Sequence, residues 1–463
     1  MNDLLKSGTL NFLLDGSAGS SGKGKMSSYI VKKESVNYLV TSNTANASHT
    51  VVENGKEYVF KTLPSGSIHH SKIEKIFIVD GAAFEVKSLL KEINMTGISR
   101  HKVRISKRAA IIQDIDRDFE LGLCDLNGTY YETAGDGTIK TGTTASGSGA
   151  VLAKKAIRNK TLKTVGDDAG YYGIEDMVSN NISDEILAMH DLGKTGFYEI
   201  GQGYPLSNNH PDFAPYTTSR NVIVSAALND AFLPPRVCGN VIINFRTFPI
   251  KIHSYKYKAL EDREFAYHKA SYPNLNNDQY AKMMTDNHCP YHKVVKEGDV
   301  TSVLVSEGDY ISWFEMNSME HERVVSFSGK PYYDQEEIDW RDLSEYAGYP
   351  TNDSTVPKIF ECTTLTKLPR RVFTFSKKNL IDAILRNDTG NEVIICVNFI
   401  NYLDKELNDV ENLPSLPSRV NNWISSNIKQ PLESLGNDSD RISLRLLGTG
   451  AESSAMLDFK DYS

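Results

Sequence analysis

Gly19-Ser20-Ser21-Gly22-Lys23-Gly24-Lys25 combines small, flexible residues with two cations, a composition suited to wrapping a polyphosphate. It follows directly on the apolar run Leu10-Asn11-Phe12-Leu13-Leu14 and precedes a helix-like segment over residues 26–33. A buried strand feeding a glycine-rich turn, with a helix behind it, points backbone N–H groups and a helix N-terminus at one spot. The loop is not a Walker A motif, which needs four residues between its glycines and a Ser or Thr after the lysine. Here five residues separate Gly16 from Gly22, and Gly24 follows Lys23.

The elements that must carry this loop read as alternating strands and helices. Residues 38–40 form a short apolar run. Residues 49–60 read as a hairpin closing on Asn54-Gly55, a strong two-residue turn signal. Residues 75–81 predict a buried strand, and the period of residues 84–93 predicts an amphipathic helix after it. Further strands are expected at residues 196–200, 241–245, 393–399 and 442–447. Such alternation predicts an α/β fold with a mostly parallel central sheet flanked by helices. Residues 254–352, rich in Tyr, Asn, Asp, Glu and His, break the pattern. They are expected to be an accessory lobe inserted in a single catalytic domain spanning residues 1–463.

With 40% hydrophobic and 24% charged residues, the 463-residue chain has globular composition. A net charge of −8 argues against a protein that coats nucleic acid, which needs a basic face. No run reaches membrane-spanning length. The five cysteines (Cys124, Cys238, Cys289, Cys362 and Cys396) are scattered and odd in number, as expected of reduced thiols in a cytoplasmic protein. His288-Cys289 and His292 include metal-capable residues but have no second cluster at zinc spacing, which favours a polar loop.

Gly22-Lys23-Gly24-Lys25 in this setting resembles the adenylosuccinate synthetase family, whose loop reads Gly-Asp-Glu-Gly-Lys-Gly-Lys. The resemblance implies that family's P-loop-like fold, and it continues in order along the chain. Asn46-Ala47-Ser48-His49-Thr50, Asn54-Gly55 and Pro64-Ser65-Gly66 are similar to its Asn-Ala-Gly-His-Thr, Asn-Gly and Pro-Ser-Gly series. This implies His49 as an electrophilic or acid group at phosphoryl transfer, with Lys23 beside it, and Asn46 on the substrate phosphate. Gly142 to Gly149 resembles the second glycine-rich segment, with Thr144 on the phosphate. Arg158, fourteen residues after Thr144, stands where the family's arginine reaches across a homodimer interface. The arginine usual two residues after the threonine is Ser146 here. Glu199-Ile200-Gly201-Gln202-Gly203 resembles Glu-Gly-Ala-Gln-Gly, and residues 215–221 resemble Pro-Phe-Val-Thr-Ser-Ser-Asn. These imply Gln202 near the purine and Thr218 on the phosphate.

Thr363-Thr364-Leu365-Thr366-Lys367-Leu368-Pro369-Arg370-Arg371 resembles the loop that holds the carboxylates of L-aspartate, implying Thr363, Thr364, Lys367, Arg370 and Arg371 there. Lys367 or Leu368 takes the place of its first arginine. The family's base-recognition strand, Leu-Thr-Lys-Leu-Asp, is matched by Val397-Asn398-Phe399-Ile400-Asn401. Asn401 offers a donor and an acceptor where the family has a doubly accepting carboxylate. That suits an adenine edge, hence ATP or dATP rather than GTP as phosphoryl donor. Gly448-Thr449-Gly450 resembles the segment that packs on the same base, and Gly22, Gly24 and Lys25 fall on the triphosphate.

Ser20 stands where the family keeps its catalytic aspartate, the base for the ring nitrogen of IMP and a contact for Mg2+. Serine brings neither that charge nor that basicity. It does vacate space beside the purine 2-position, which is hydrogen in IMP and an amino group in GMP. The same exchange marks the family's phage-type subgroup that joins dGMP to aspartate, so the resemblance implies dGMP, L-aspartate and ATP or dATP as substrates. Mg2+ falls at Ser20 and Ser48. The competing readings are a divergent synthetase still acting on IMP, and a nucleotide-binding regulator with a degraded site.

Overall fold

The computed structural model describes residues 4–131, 144, 146–252, 255–256, 293–297, 300–304, 324–326, 331–350, 358–361 and 370–462. Ten strands form its main sheet: β1 (Leu10–Asp15), β2 (Tyr38–Thr41), β3 (Lys75–Ile78), β4 (Val103–Ser106), β5 (Val178–Ser179), β6 (Gly196–Gly203), β7 (Cys238–Arg246), β8 (Val393–Asn398), β9 (Ile442–Gly448) and β10 (Met456–Asp458). Their order is β10-β9-β8-β7-β1-β6-β2-β3-β4-β5. Strand β10 is antiparallel to β9; the other neighbours run parallel.

A parallel sheet covered on both faces demands near-continuous apolar strands. All six residues of β1 and all nine of β7 are buried. The chain runs outward on one side of β1 through β2 to β5 and returns to insert β6 beside β1. It then crosses over to lay down β7 to β10 on the other side. The order therefore reverses around β1, and the crevice at the carboxyl ends of such strands is where α/β sheets bind ligands. The loop of residues 16–22 leaves from that end of β1.

Helix α1 spans Lys23–Lys33 and starts three residues before the predicted segment. Gly22 caps it with φ 78°, a left-handed turn that glycine adopts at no steric cost, so Lys-Gly-Lys enters the first turn despite its polar composition. Met26, Ile30 and Val31 face the core with Leu13, Val51 and Phe60. The predicted helix over 84–93 is corrected at its start. Phe84 belongs to a two-residue strand paired with Ala110–Ile111, and helix α2 is Val86–Thr96. The hairpin His49–Glu53 to Lys56–Phe60 closes on Asn54 and Gly55 with φ of 53° and 72°, as a type I′ turn requires. The strand expected over 393–399 ends at Asn398, because Phe399 turns left-handed at φ 64°.

The chain divides into two compact units, one of Met1–Ile250, Lys330–Glu337 and Phe373–Ser463, the other of Lys251–Gly329 and Ile338–Val372. The first contains the ten-stranded sheet. In the second, helix Trp340–Tyr346 is tied by the Trp340 indole, which donates to the Arg370 carbonyl at 2.7 Å.

Gly203, at the end of β6, passes so close to the loop that a Cβ there would lie 1.9 Å from the Ser17 carbonyl oxygen and 2.9 Å from the Gly19 nitrogen. Overpacking of this kind costs about 1–3 kcal/mol. Gly203→Ala is therefore expected to stay folded with a Tm lowered by a few degrees and to lose at least tenfold in triphosphate affinity by calorimetry, since the loop backbone must retreat. Unchanged affinity would show that the loop is not set by this contact.

Candidate active site

The loop is gripped from both flanking strands. Asn244 of β7 donates to the Ser21 carbonyl at 2.9 Å and to its hydroxyl at 2.7 Å. Asn398 of β8 donates to the Ser21 carbonyl at 2.9 Å and to Asn244 Oδ1 at 3.0 Å. Within the loop, the Ser17 N–H donates to Asp15 Oδ1 at 2.7 Å. Burial pushes the Asp15 carboxyl up to about 7, against the pull of Ser17, Ser21 and Lys23. Ser20 is exposed and holds a left-handed φ of 51°, uncommon for a residue with a side chain. Lys25 donates to the carbonyls of Gly450 at 2.8 Å and Ala455 at 2.5 Å, and burial pushes its ammonium down to about 7.

Behind the loop sits a buried charged cluster. Glu199, on β6 and fully shielded, lies 2.8 Å from His49 Nδ1 and 3.5 Å from Lys23 Nζ. It also accepts from the backbone N–H and hydroxyl of Ser65 at 2.8 and 2.9 Å. Burial opposes its charge, but Lys23 and His49 outweigh that and hold its carboxyl well below the usual carboxylate range. Lys23 Nζ is 2.8 Å from His49 Nε2. Burial first, then the Lys23 charge, lowers the His49 pKa, so the imidazole is neutral near pH 7. A neutral ring that gives its Nδ1 hydrogen to Glu199 keeps a lone pair on Nε2 for the Lys23 ammonium.

A second polar network lies at the ends of β2 and β6. The Asn46 side chain donates to the Thr218 hydroxyl at 3.2 Å and accepts from the Thr44 hydroxyl and Gln202 Nε2, both at 2.6 Å. The Asn46 N–H donates to the Ser148 hydroxyl at 3.2 Å, and hydroxyl contacts continue through Ser146 to Thr144. Arg220 donates to the Ser42 carbonyl at 2.6 Å and pairs with Asp230 at 3.2 Å. Arg158 is exposed, with φ 54°, just beyond the helix Ser148–Ala156.

On the β8–β9 side, Asp409 accepts from the Asn408 amide at 2.8 Å, which turns Asn408 Oδ1 toward the Asn401 amide at 3.1 Å. A carboxylate near neutrality only accepts, so this chain sets both amides the same way. Asn401 Oδ1 is left buried and accepts no hydrogen bond. Asp409 Oδ1 accepts from the Ala451 N–H at 3.1 Å, drawing the Gly448–Ala451 segment alongside.

Residues 16–167 match the family model described as Adenylosuccinate synthetase. The N6-succino-2-amino-2'-deoxyadenylate synthase of Salmonella phage PMBT28 is 26% identical over 410 residues, covering 85% of this chain and 86% of that protein. The adenylosuccinate synthetase of Methanocaldococcus jannaschii is 28% identical over 247 residues, 53% of this chain and 66% of that one. Over residues 16–167, and in relatives aligned over most of its length, the chain is similar to the adenylosuccinate synthetase family. Among solved structures, the succinoaminodeoxyadenylate synthetase of Cyanophage S-2L, bound to dGMP and dATP, has the same fold. Its TM-score is 0.63 at 22% identity, covering 98% of this chain and 96% of that one.

Of the residues singled out in the sequence, this synthetase fold gathers Lys23 with His49, and Asn46 with Gln202 and Thr218, into two connected networks. Thr363, Thr364 and Lys367 lie outside the described residues, as do His288, Cys289 and His292; Arg370 and Arg371, both in the second unit, begin the strand Arg370–Phe373. Glu199 escaped sequence reasoning as a charge partner, although it opens the quoted Glu-Ile-Gly-Gln-Gly motif. A lone acid inside a buried strand was its only signal. Among the described residues, no group of three or more His, Cys, Asp or Glu side chains is placed to hold a metal.

With its pKa near 7 in the free protein, Lys25 is largely uncharged above that pH, whereas a bound triphosphate favours the ammonium. Triphosphate binding then takes up a proton, so affinity is expected to fall as pH rises from about 7 to about 9, by up to roughly tenfold per unit. Calorimetry in two buffers of different ionisation heat reads the proton uptake directly. A flat profile, or one unchanged in Lys25→Met, would refute the assignment.

Proposed function

We propose that the chain condenses dGMP with L-aspartate at the purine 6-position, using ATP or dATP, to give N6-succino-2-amino-2'-deoxyadenylate, ADP (or dADP) and phosphate. The observation that carries this reading is Ser20 at an exposed, left-handed corner of an otherwise assembled phosphoryl-transfer loop, beside Lys23, His49 and Glu199. The phage relative that aligns over most of both chains supports it. So does the cyanophage synthetase of the same fold, whose ligands are dGMP and dATP.

In this reading the guanine 6-oxygen attacks the γ-phosphorus and ADP leaves; the amine of aspartate then adds at C6 and expels phosphate. Lys23 leaves His49 for the transferring phosphoryl group. With that opposing charge withdrawn, Glu199 favours the imidazolium, which donates from Nε2 to the developing negative charge. Asn46, Thr144, Gln202 and Thr218 bind the deoxynucleotide, and Arg158 completes the phosphate site of a second copy in a homodimer. Gly22, Gly24 and Lys25 hold the triphosphate. Asn401, with Oδ1 open to accept and one amide hydrogen left to donate, matches the exocyclic amine and a ring nitrogen of adenine beside Gly448 and Gly450. Thr363, Thr364, Lys367, Arg370 and Arg371 are assigned to aspartate, with residues 254–352 as an accessory lobe of one catalytic domain.

Mg2+ fits this oxygen-rich loop, because it keeps water and substrate phosphates as ligands and asks the protein for one or two oxygens. The Ser20 and Ser48 hydroxyls would supply them, and the ion would neutralise phosphate charge.

The deciding measurement is product mass and phosphate release with dGMP, GMP, dIMP and IMP, each with ATP, dATP or GTP, with and without aspartate. Aspartate-dependent product from dGMP is expected, and product from IMP alone would overturn the subgroup. Ser20→Asp restores a base, an effect of about 10²–10⁴-fold, but sets a carboxylate against the 2-amino group. Its kcat/KM is expected to fall at least roughly tenfold on dGMP and to rise on IMP or dIMP. Equal gains on guanine and hypoxanthine nucleotides would separate proton transfer from substrate choice.

A completed-in-trans site is tested by mixing inactive Arg158→Ala with inactive His49→Ala protein. One hybrid site then carries both residues intact, and part of the activity is expected to return. Full activity of a dilute, demonstrably monomeric sample would rule out the shared site.

A further inference from the structure

Arg246 ends β7, directly between the strand that launches the phosphate loop and the strand that leads to Asn401. It is the largest fully buried side chain in the protein's core among the described residues, and it faces both neighbours. On the loop side, its Nη1 donates to the Ser20 carbonyl at 2.7 Å, and its backbone N–H reaches the Ser17 hydroxyl at 3.4 Å. On the other side, its guanidinium lies 4.1 Å from the Phe399 ring centroid and 5.8 Å from that of Tyr402. The next residue adds a second tie on that side: the Thr247 hydroxyl donates to the Phe399 carbonyl at 2.7 Å. Both residues so tied, Ser20 and Phe399, hold left-handed backbone conformations that side-chain-bearing residues rarely adopt, with φ of 51° and 64°.

We propose that Arg246 is a positioning residue that sets the Ser20 corner facing the acceptor purine and, through the same guanidinium, the Phe399–Tyr402 ring pair beside the triphosphate base, coupling recognition of the two nucleotides. The inference rests on the function proposed above. A guanidinium suits this double task because it donates in its plane while offering its face to an aromatic ring. Lysine keeps the charge and one donor but loses the flat face. Methionine keeps much of the volume and loses both.

The two halves therefore separate by substitution in the full-length protein. Arg246→Met is expected to lower kcat/KM for dGMP by about 10- to 100-fold and to raise KM for ATP several-fold. Arg246→Lys should recover much of the dGMP loss but not the ATP loss. Phe399→Leu should raise KM for ATP with little effect on dGMP, and combining it with Arg246→Met should add nothing further to that KM. Thermal unfolding measured alongside reads stability apart from this pattern. If all three variants lose kcat in proportion to lost stability with both KM values unchanged, or if the double variant is additive for ATP, the inference is overturned. Should the wild-type chain turn over IMP but not dGMP, the proposed substrate fails. The coupling is then still read from the ATP terms and from IMP in place of dGMP.

Discussion

The structure depends on keeping one carboxylate ionised where no water reaches it. Glu199 sits inside the sheet, midway along β6, where an isolated charge would be prohibitively costly. It is tolerated because Lys23, His49 and two donors of Ser65 converge on it from three different segments. Each of those segments is thereby fixed: the first turn of α1, the start of the hairpin, and the turn before β3. A buried pair of this sort adds little net stability and is costly to break on one side only. Its value is geometric, because it aims an ammonium and an imidazole at the crevice where the strand order reverses.

The loop of residues 16–22 is positioned by a related device using neutral groups. Asn244 and Asn398 are side chains at strand ends that satisfy loop carbonyls the sheet itself cannot reach. With the loop carbonyls turned back into the protein, the N–H groups at the start of α1 are left for an incoming anion. The far end of the crevice is joined to the same loop by Lys25, which crosses to the Gly450 and Ala455 carbonyls. The hairpin bearing His49 is stitched to that segment as well, since the Ser453 N–H donates to the Val52 carbonyl at 2.8 Å. Loop, hairpin and the Gly450–Ala455 segment are thus held together by these hydrogen bonds.

Much of this was legible in the chain. Apolar runs located the central strands, Asn54-Gly55 located the hairpin, and ordered short motifs located Lys23, His49, Asn46, Gln202 and Thr218. What stayed hidden depends on which strands become neighbours. Arg246, Asn244 and Asn398 each look like an odd polar residue in an apolar strand, and only the order β1-β7-β8 turns them toward the loop. The early start of α1 was hidden because a left-handed glycine cap leaves no mark in hydrophobic periodicity. Phe84 continued the helical pattern of residues 84–93, but its backbone is taken by pairing with Ile111. Tertiary pairing overrode local pattern there.

Replacing a loop carboxylate with Ser20 also changes the field of the site. Lys23 and Arg246, joined by Lys25 once a triphosphate is bound, bring positive charge to the loop, Glu199 is already engaged with Lys23 and His49, and burial raises the Asp15 carboxyl to about 7. Under the reaction proposed above, the ring N–H beside the 6-oxygen must give its proton to solvent water as that oxygen becomes nucleophilic. A surplus of fixed positive charge stabilises the resulting anion, by the same mechanism that lowers the pKa of an acid beside a cation. A carboxylate at position 20 takes the proton directly but cancels part of that field. A serine there gives up the local base and leaves the field intact, while its hydroxyl can accept from a neighbouring amino group. On this argument the exchange at position 20 shifts the work of activation from one proton acceptor to the electrostatics of the whole loop.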